Sequence, residues 1–152
     1  MQDGTPGGPL PLTVQAMEKI RDPRVAFLAS TLRTGGAERV VESLARGLPG
    51  RGIETRVFCL RSPGEIGDAI AAAGVRVTSG IARFRRDPLV AARLAPLLRG
   101  WRPDVLVSLD HRDAIMAGAL VRAFGGSFRL ALMVHSTGLW GNRKTFGRID
   151  RL

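Results

Sequence analysis

Five short apolar segments, separated by stretches of helical periodicity, constrain the fold of this chain more than any other feature. The predicted strands are Val25–Ala29, Thr55–Leu60, Val75–Thr78, Asp104–Leu109 and Arg129–Val134. The predicted helices are Ala37–Leu48, Glu65–Ala73, Leu89–Arg99 and Ala114–Phe124. The strands begin 20 to 30 residues apart and are apolar on both faces, which is typical of a parallel sheet between two helical layers. The sequence therefore predicts a doubly wound α/β fold with a mainly parallel sheet and helices on both faces.

The first helical pattern carries an apolar stripe and a charged stripe at helical spacing. The stripe predicted to face the sheet contains Val40, Val41, Leu44 and Leu48. The stripe predicted to face solvent contains Glu38, Arg39, Glu42 and Arg46. Within it, Glu42 and Arg46 have the i,i+4 spacing that favours an ion pair on a helix surface.

Length and composition limit the organisation of the chain. Its 152 residues are enough for one domain, predicted over residues 23–152 after a flexible Gly/Pro-rich leader over residues 1–22. The single cysteine, Cys59, excludes an internal disulfide and a multi-cysteine metal site, and it favours a reducing compartment. No run of 18 apolar residues is present, and a signal peptide's apolar segment is missing. The predicted location is cytoplasmic.

The formal net charge of +10 is supplied almost entirely by arginine, since 21 of the 23 basic residues are Arg. Because these arginines are spread along the chain, a solvated basic surface is the simplest interpretation. Attraction to anionic lipid or to a phosphorylated substrate is the alternative. Nucleic acid is disfavoured, because only 5% of residues are aromatic and bases would have little to stack on.

One basic segment suggests peripheral contact with an anionic membrane, at the inner face of the cytoplasmic membrane. It consists of Arg83–Arg86 and the helix that follows, whose apolar residues are Leu89, Val90, Leu94, Leu97 and Leu98. Such an element could lie on lipid as a basic amphipathic helix. The competing interpretation is an ordinary helix that covers the sheet.

Ligands of doubly wound folds bind at the carboxyl ends of the strands, so the segments after the strands are the candidate sites. After the first strand, Gly35 and Gly36 precede a helix whose free backbone N–H groups favour an anion. The segment lacks the G-x-G-x-x-G dinucleotide motif, and no Gly-Lys-Ser/Thr of a P-loop follows. A tight turn without a ligand therefore remains an alternative.

Both histidines of the chain follow predicted strands. His111 lies between Asp110 and Asp113 after the fourth strand, and His135 precedes Ser136 after the fifth. Two histidines and a carboxylate can bind a metal, but these lack the tight local spacing of a metal motif. Ser136 is not in a G-x-S-x-G sequence, so a serine hydrolase is not indicated. A structural role is the alternative for each histidine.

Several of these segments resemble family 4 glycosyltransferases, the retaining GT-B enzymes that use nucleotide sugars. They are RVAFL at Arg24–Leu28, GGAERVV at Gly35–Val41, LARGL at Leu44–Leu48 and WRPDVLVS at Trp101–Ser108. The position of His135 matches an active-site histidine of many members. The resemblance extends over residues 24–152 and implies one half of a GT-B fold, the Rossmann-like N-terminal domain that binds the acceptor.

The resemblance also implies roles for individual residues. His135 is expected to be catalytic, and no metal or cofactor is expected beyond a nucleotide sugar as co-substrate. The expected partners are that donor and a carbohydrate or lipid-linked acceptor. The residues expected to bind substrate are Arg33, Thr34, Gly35, Gly36, Glu38, Asp110, His111 and Ser136.

In family members a second domain binds most of the nucleotide sugar, typically through two glutamates eight positions apart. None of the five glutamates of this chain has a glutamate eight residues later. We therefore expect an N-terminal fragment that is inactive alone, with an exposed sheet edge that can pair with a second copy. The alternative is a stand-alone Rossmann-like domain that binds a small anion without catalysis. Sugar-nucleotide 2-epimerases share the architecture but lack the Gly-Gly-Ala-Glu loop, so they fit less well.

Overall fold

Strands and helices alternate throughout the described part of the chain, which in this computed structural model comprises residues 22–109, 112–123 and 125–133. The strands are β1 (Arg24–Ala29), β2 (Glu54–Cys59), β3 (Arg76–Thr78), β4 (Val105–Leu109) and β5 (Arg129–Met133). The helices are α1 (Gly36–Gly47), α2 (Gly64–Ala72), α3 (Val90–Trp101) and α4 (Arg112–Ala123), and a 3₁₀ turn, Pro49–Arg51, follows α1. All nine elements predicted from the sequence are confirmed. The predicted leader lies outside the described residues, apart from Asp22.

The five strands form one parallel sheet in the order β3-β2-β1-β4-β5. Helices α1 and α2 pack on one face, where Phe27 and Val57 belong to the core. Helices α3 and α4 pack on the other face, where Leu28 and Leu106 belong to a second core. Successive residues of β1 thus point into different cores, which explains why the strand is apolar throughout. The doubly wound class is confirmed.

The predicted orientation of α1 is wrong in part. Val41 is buried as expected, and Ala45 is buried beside it. Val40 and Leu44, also assigned to the buried stripe, are 41% and 39% exposed. The helix is therefore rotated relative to the predicted stripe, with the small side chain of Ala45 on the face that meets the sheet.

Glu42 was predicted to face solvent but is buried. Its two carboxylate oxygens accept hydrogen bonds from Arg39 Nη1 at 3.0 Å and from Arg46 Nη1 at 3.1 Å. The predicted Glu42–Arg46 pair is thus confirmed, and a second arginine completes it. Because both oxygens are paired, the carboxylate can lose solvent without being left unsatisfied, and this makes the rotated position of α1 possible.

A polar cluster closes the amino-terminal end of the sheet. Glu54 of β2 accepts hydrogen bonds from Trp101 Nε1 at 2.8 Å and from Arg24 Nε at 3.0 Å. The Trp101 bond is the main cause of a lowered pKa of Glu54. The Arg56 guanidinium lies 4.8 Å from the centre of the Trp101 ring, a favourable cation–π contact. The cluster ties the end of α3 to β1 and β2.

The segment between α3 and β4 aligns β4 with β1. Arg102 ends the helix in a left-handed conformation with φ 53°, and its N–H donates to the Leu98 carbonyl at 2.7 Å. The Asp104 carboxylate then accepts the Arg24 backbone N–H at 2.8 Å, and the Asp104 N–H donates to the Arg24 carbonyl at 2.9 Å. The Arg-Pro-Asp segment is therefore a structural connection at the end of the sheet opposite the candidate site.

Residues 79–89, the β3–α3 loop, are organised around the buried carboxylate of Asp87. It accepts the Arg83 backbone N–H at 2.8 Å, the Leu89 backbone N–H at 2.9 Å and a hydrogen bond from the Arg93 guanidinium. The Arg83 N–H and then Arg93 are the main causes that lower the pKa of Asp87 from 3.8 to about 2. The carboxylate is thus held in its charged form and fixes both ends of residues 83–89.

We predict that Asp87→Asn makes the stability of the protein less dependent on acid. A carboxyl group whose pKa is lowered by folding stabilises the protein fully above its ordinary pKa, and this contribution disappears as the pH falls from about 4 to about 2. Urea unfolding at successive pH values should show Asp87→Asn less stable than the parent at pH 6, with the difference closing toward pH 2. Asp68→Asn, at an exposed position of α2, is the control and should follow the parent curve. If the stability difference between Asp87→Asn and the parent stayed constant from pH 6 to pH 2, the lowered pKa of Asp87 would be contradicted.

Candidate functional site

The candidate site lies at the carboxyl end of the sheet, where the strand order changes direction. The chain runs outward from β1 to β2 and β3, then returns to place β4 on the other side of β1. Helices α1 and α4, which follow β1 and β4, therefore lie on opposite faces. In open α/β sheets this arrangement leaves a crevice between the two strand ends, and ligands bind there.

The glycine loop, residues 30–36, leads from β1 into α1 and borders this crevice. Gly35 is the N-cap in an extended conformation, and no side chain hydrogen-bonds to the first turn. The backbone N–H groups of that turn, together with the positive end of the helix dipole, favour an anionic ligand. The start of α1 therefore presents a first turn without a side-chain cap at this end of the sheet.

The two glycines differ in their surroundings. A Cβ at Gly35 would lie 2.3 Å from Oε2 of Glu38. The Glu38 carboxylate can therefore occupy this position only because Gly35 has no side chain. A Cβ at Gly36 would meet nothing within 4 Å. No described neighbour therefore requires glycine at this position, and the space beside Gly36 is open.

Helix α2 holds the glycine loop in place. The buried Leu32 accepts a hydrogen bond from the Ile66 N–H at 3.2 Å through its carbonyl. The Thr34 hydroxyl donates to Glu65 Oε2 at 2.8 Å. Gly64, at φ +60°, lies so close to Leu32 that a Cβ would be 2.8 Å from the Leu32 carbonyl oxygen. Thr34, a predicted substrate-binding residue, is thus engaged with α2 and positions the loop.

Cys59, at the end of β2, joins the base of the glycine loop to the next loop. Its thiol donates to the Ser62 carbonyl at 3.1 Å and lies 3.7 Å from the Ser30 carbonyl oxygen. The Arg61 N–H also donates to that Ser30 oxygen, at 3.0 Å. Burial raises the pKa of the Cys59 thiol, so it stays protonated at neutral pH and serves as a structural donor.

The charged side chains of the glycine loop are Arg33 and, in the first turn of α1, Glu38. Arg33 is exposed and forms no ion pair with any described residue. Its guanidinium is therefore free to meet an anion at the crevice. Glu38 is partly buried over Gly35, so an anion at the first turn of α1 meets this carboxylate as a like charge.

The remaining predicted site residues lie outside the described part of the chain. Asp110 and His111 follow Leu109, the last residue of β4, and His135 and Ser136 follow Met133 of β5. Their roles stay predictions. Within the described ranges, no three His, Cys, Asp or Glu side chains come together in a way that could hold a metal ion.

A cavity of about 600 Å³ lies between α4 and β5, away from the glycine loop. Its wall includes Ser108, Ala119, Arg122 and Leu130, and the Arg122 guanidinium donates to the Phe128 carbonyl. The cavity borders the outer strand of the described sheet, whereas the glycine loop follows the central strand. None of the residues of the glycine loop lines it.

We predict that Gly64→Ala destabilises the protein strongly. Any side chain at φ +60° costs about 1 kcal/mol or more, and overlap with Leu32 adds about 1–3 kcal/mol. Gly74→Ala is the matched control, because Gly74 has φ +87° with nothing within 4 Å and should show the conformational cost alone. Urea unfolding of both variants measures the difference. Equal losses would contradict a tight fit between Gly64 and the glycine loop.

The sequence and the fold of this chain were both compared with known proteins. The sequence model described as Glycosyltransferase Family 4 matches residues 34–152. No curated protein sequence matches the chain. Among solved structures, a glycosyltransferase from Rickettsia africae ESF-5 matches with a TM-score of 0.59 and 12% identity, over 76% of this chain and 30% of that one.

At that identity the structural match supports the fold alone, and this chain spans less than a third of the solved protein's length. The family match covers most of the chain, including the two glycines and the helix that follows them. The sequence resemblance to this family is thus confirmed. The chain belongs to glycosyltransferase family 4 and has the doubly wound fold of that family's N-terminal domain.

Proposed function

We propose that this chain takes part in moving a sugar from a nucleotide-sugar donor to an acceptor hydroxyl, with retention of the anomeric configuration. The observation that supports this most is the open space beside Gly36, the first residue of α1, whose first turn has no side-chain cap. The chain itself belongs to a glycosyltransferase family. The glycine loop follows β1, the central strand of the sheet. There a diphosphate leaving group or an acceptor can approach the backbone closely.

The glycine loop stabilises the charge that develops as the nucleoside diphosphate leaves. N–H groups fixed at the start of a helix need no reorganisation as negative charge builds up, which is the main advantage of such donors in catalysis. Gly36 keeps the space in front of these groups free, and Arg33 adds a mobile positive charge. Glu38 sets the boundary of the anion site, because its carboxylate repels a phosphate that moves too far along α1.

The remaining substrate contacts belong to residues after β4 and β5. We assign His135 to the reacting centre, where it hydrogen-bonds the sugar and orients it for attack. Asp110, His111 and Ser136 complete the substrate pocket at the same end of the sheet. This assignment includes no metal ion and no cofactor apart from the nucleotide sugar as co-substrate, since the glycine loop and Arg33 meet the charge of the leaving group.

The proposed acceptor is a carbohydrate or a lipid-linked sugar, and the proposed location is the cytoplasm, at the inner face of the membrane. Both outer strands of the described sheet, β3 and β5, offer an edge at which a second copy can pair. The alternative of a stand-alone anion-binding domain uses the same glycine loop, so anion binding is common to both functions. Sugar transfer by a longer protein that includes this chain separates them.

We predict that the 152-residue chain alone catalyses no sugar transfer. It contains no pair of glutamates eight positions apart to hold a donor, and it spans 30% of the solved glycosyltransferase. Incubation with a panel of radiolabelled uridine, guanosine and adenosine diphosphate sugars and simple glycoside acceptors should yield no product above a no-protein control. Product formation would show that the described sheet and its flanking segments suffice for catalysis.

We predict that Gly36→Val weakens nucleoside diphosphate binding without destabilising the fold. The new side chain enters open space, so the free energy of unfolding should change by about 0.5 kcal/mol or less, while the path to the helix N–H groups is blocked. Titration of ¹⁵N-labelled protein with uridine, guanosine and adenosine diphosphates should move the amide signals of residues 35–38, with a Kd of about 1 mM. Gly36→Val should raise that Kd about tenfold, equivalent to about one charge-assisted hydrogen bond.

Gly47→Val is the matched control, because Gly47 lies at the other end of α1 and also has nothing within 4 Å of an added Cβ. It should bind like the parent. Equal effects of the two variants, or amide changes confined to other loops, would refute the role of the glycine loop. Absence of binding up to about 10 mM of all three diphosphates would refute it as well.

A further inference from the structure

Two of the most exposed large apolar side chains in the described part of the chain lie within one loop. Phe84 is 58% exposed and Leu89 is 57% exposed. Each carries well over 100 Å² of apolar surface when fully accessible, and both belong to the loop that follows β3. Solitary exposed apolar residues are ordinary on protein surfaces, but two large ones on a six-residue segment call for a partner.

The same loop is strongly basic. Arg83, Arg85 and Arg86 are exposed and form no ion pair with any described residue. From residue 76 to residue 103 the only acidic side chain is Asp87, and its carboxylate is buried. That carboxylate is paired with Arg93, so it does not neutralise Arg83, Arg85 or Arg86. The surface around Phe84 therefore carries uncompensated positive charge.

Asp87 fixes the shape in which this surface is displayed. Its carboxylate holds the N–H groups of Arg83 and Leu89, which bracket the exposed residues. Arg93 binds the same carboxylate and also donates to the Ile81 carbonyl at 3.0 Å. Because the loop is already ordered, little conformational entropy remains to be lost when it binds a partner.

The structure distinguishes this loop from the helix that follows it. Leu94 and Leu98 of α3 are fully buried against the sheet, so α3 covers the core and does not lie on lipid as an amphipathic helix. Of the two interpretations that the sequence left open for this helix, the structure agrees with the ordinary helix that covers the sheet. Across the described residues, no helix has the length and apolar character needed to span a bilayer.

We propose that residues 83–89 form a peripheral membrane-binding loop that inserts Phe84 and Leu89 among the headgroups of anionic lipids. The arginines at 83, 85 and 86 bind the lipid phosphates. Apolar side chains flanked by arginines suit the boundary between acyl chains and headgroups, because the apolar groups contact the acyl chains and the arginines contact the charged headgroups. Neither feature suffices alone, since a single anchor or a few charges give only weak, reversible attachment.

An anionic membrane accounts for these observations better than nucleic acid does. Phe84 is the one aromatic residue from residue 79 to residue 100, so bases would find no stacking surface. The loop follows the carboxyl end of β3, and the glycine loop follows the carboxyl end of β1 in the same sheet. Membrane binding through residues 83–89 therefore brings the candidate site's end of the domain toward the lipid.

The test is sedimentation of the 152-residue chain with vesicles of phosphatidylcholine alone, or of phosphatidylcholine with about a third phosphatidylglycerol. Binding is expected to the anionic vesicles at low salt, and it should weaken strongly at about 0.5 M salt. Arg85→Gln combined with Arg86→Gln should weaken the partition coefficient about thirtyfold, since each arginine near such a surface contributes about fivefold. Phe84→Ser combined with Leu89→Ser should weaken it at least tenfold.

Two double variants are matched controls. Arg51→Gln with Arg76→Gln removes the same charge from the opposite end of the sheet, and Val40→Ser with Leu44→Ser removes two half-exposed apolar side chains from α1. Both should bind within about twofold of the parent. All variants change exposed side chains, and unfolding curves confirm that each is folded. Equal binding to both vesicle types, no binding to either, or equal losses in the controls and the loop variants would overturn the proposal.

Discussion

The burial of β1 on both edges and both faces determines where the other parts of this domain lie. Residues 26–29 have almost no solvent exposure, and the strand pairs with β2 on one side and β4 on the other. The loop that follows a strand in that position must lie at the middle of the sheet's carboxyl end. The glycine loop is central because β1 is central, and the crevice beside it follows from the placement of β4.

The sequence predicts the elements well because burial on two faces leaves a strong pattern in the residues themselves. Each strand is a short apolar run, and the intervening helices have their own periodicity, so nine elements can be located without knowledge of their partners. The rotation of α1 was not predictable in the same way. Pairing of Glu42 with both Arg39 and Arg46 satisfies its carboxylate, and only the folded arrangement shows that this residue is buried while Val40 and Leu44 are exposed.

Part of the candidate site could likewise be predicted from local sequence, and part is visible only in the folded structure. Gly35 and Gly36 were found from local sequence, because two glycines before a helix suggest close approach of a ligand. The residues that support them were missed: Glu65 binds Thr34 across 31 positions, and Cys59 meets the base of the loop across 29. No spacing rule connects such residues, since they are brought together by the parallel pairing of β1 with β2. Likewise, composition showed the excess of arginine but not which arginines remain without carboxylate partners.

The fit of Gly64 against Leu32 has a consequence for how this domain can be altered. The loop after β1 and the loop after β2 interlock, since the left-handed turn at Gly64 occupies the space left by the Leu32 backbone. Substrate preference in such a domain therefore cannot be transplanted one loop at a time. A chimaera that imports the glycine loop from a relative must import the segment from Cys59 to Glu65 with it, and the two together are the smallest exchangeable module at this end of the sheet.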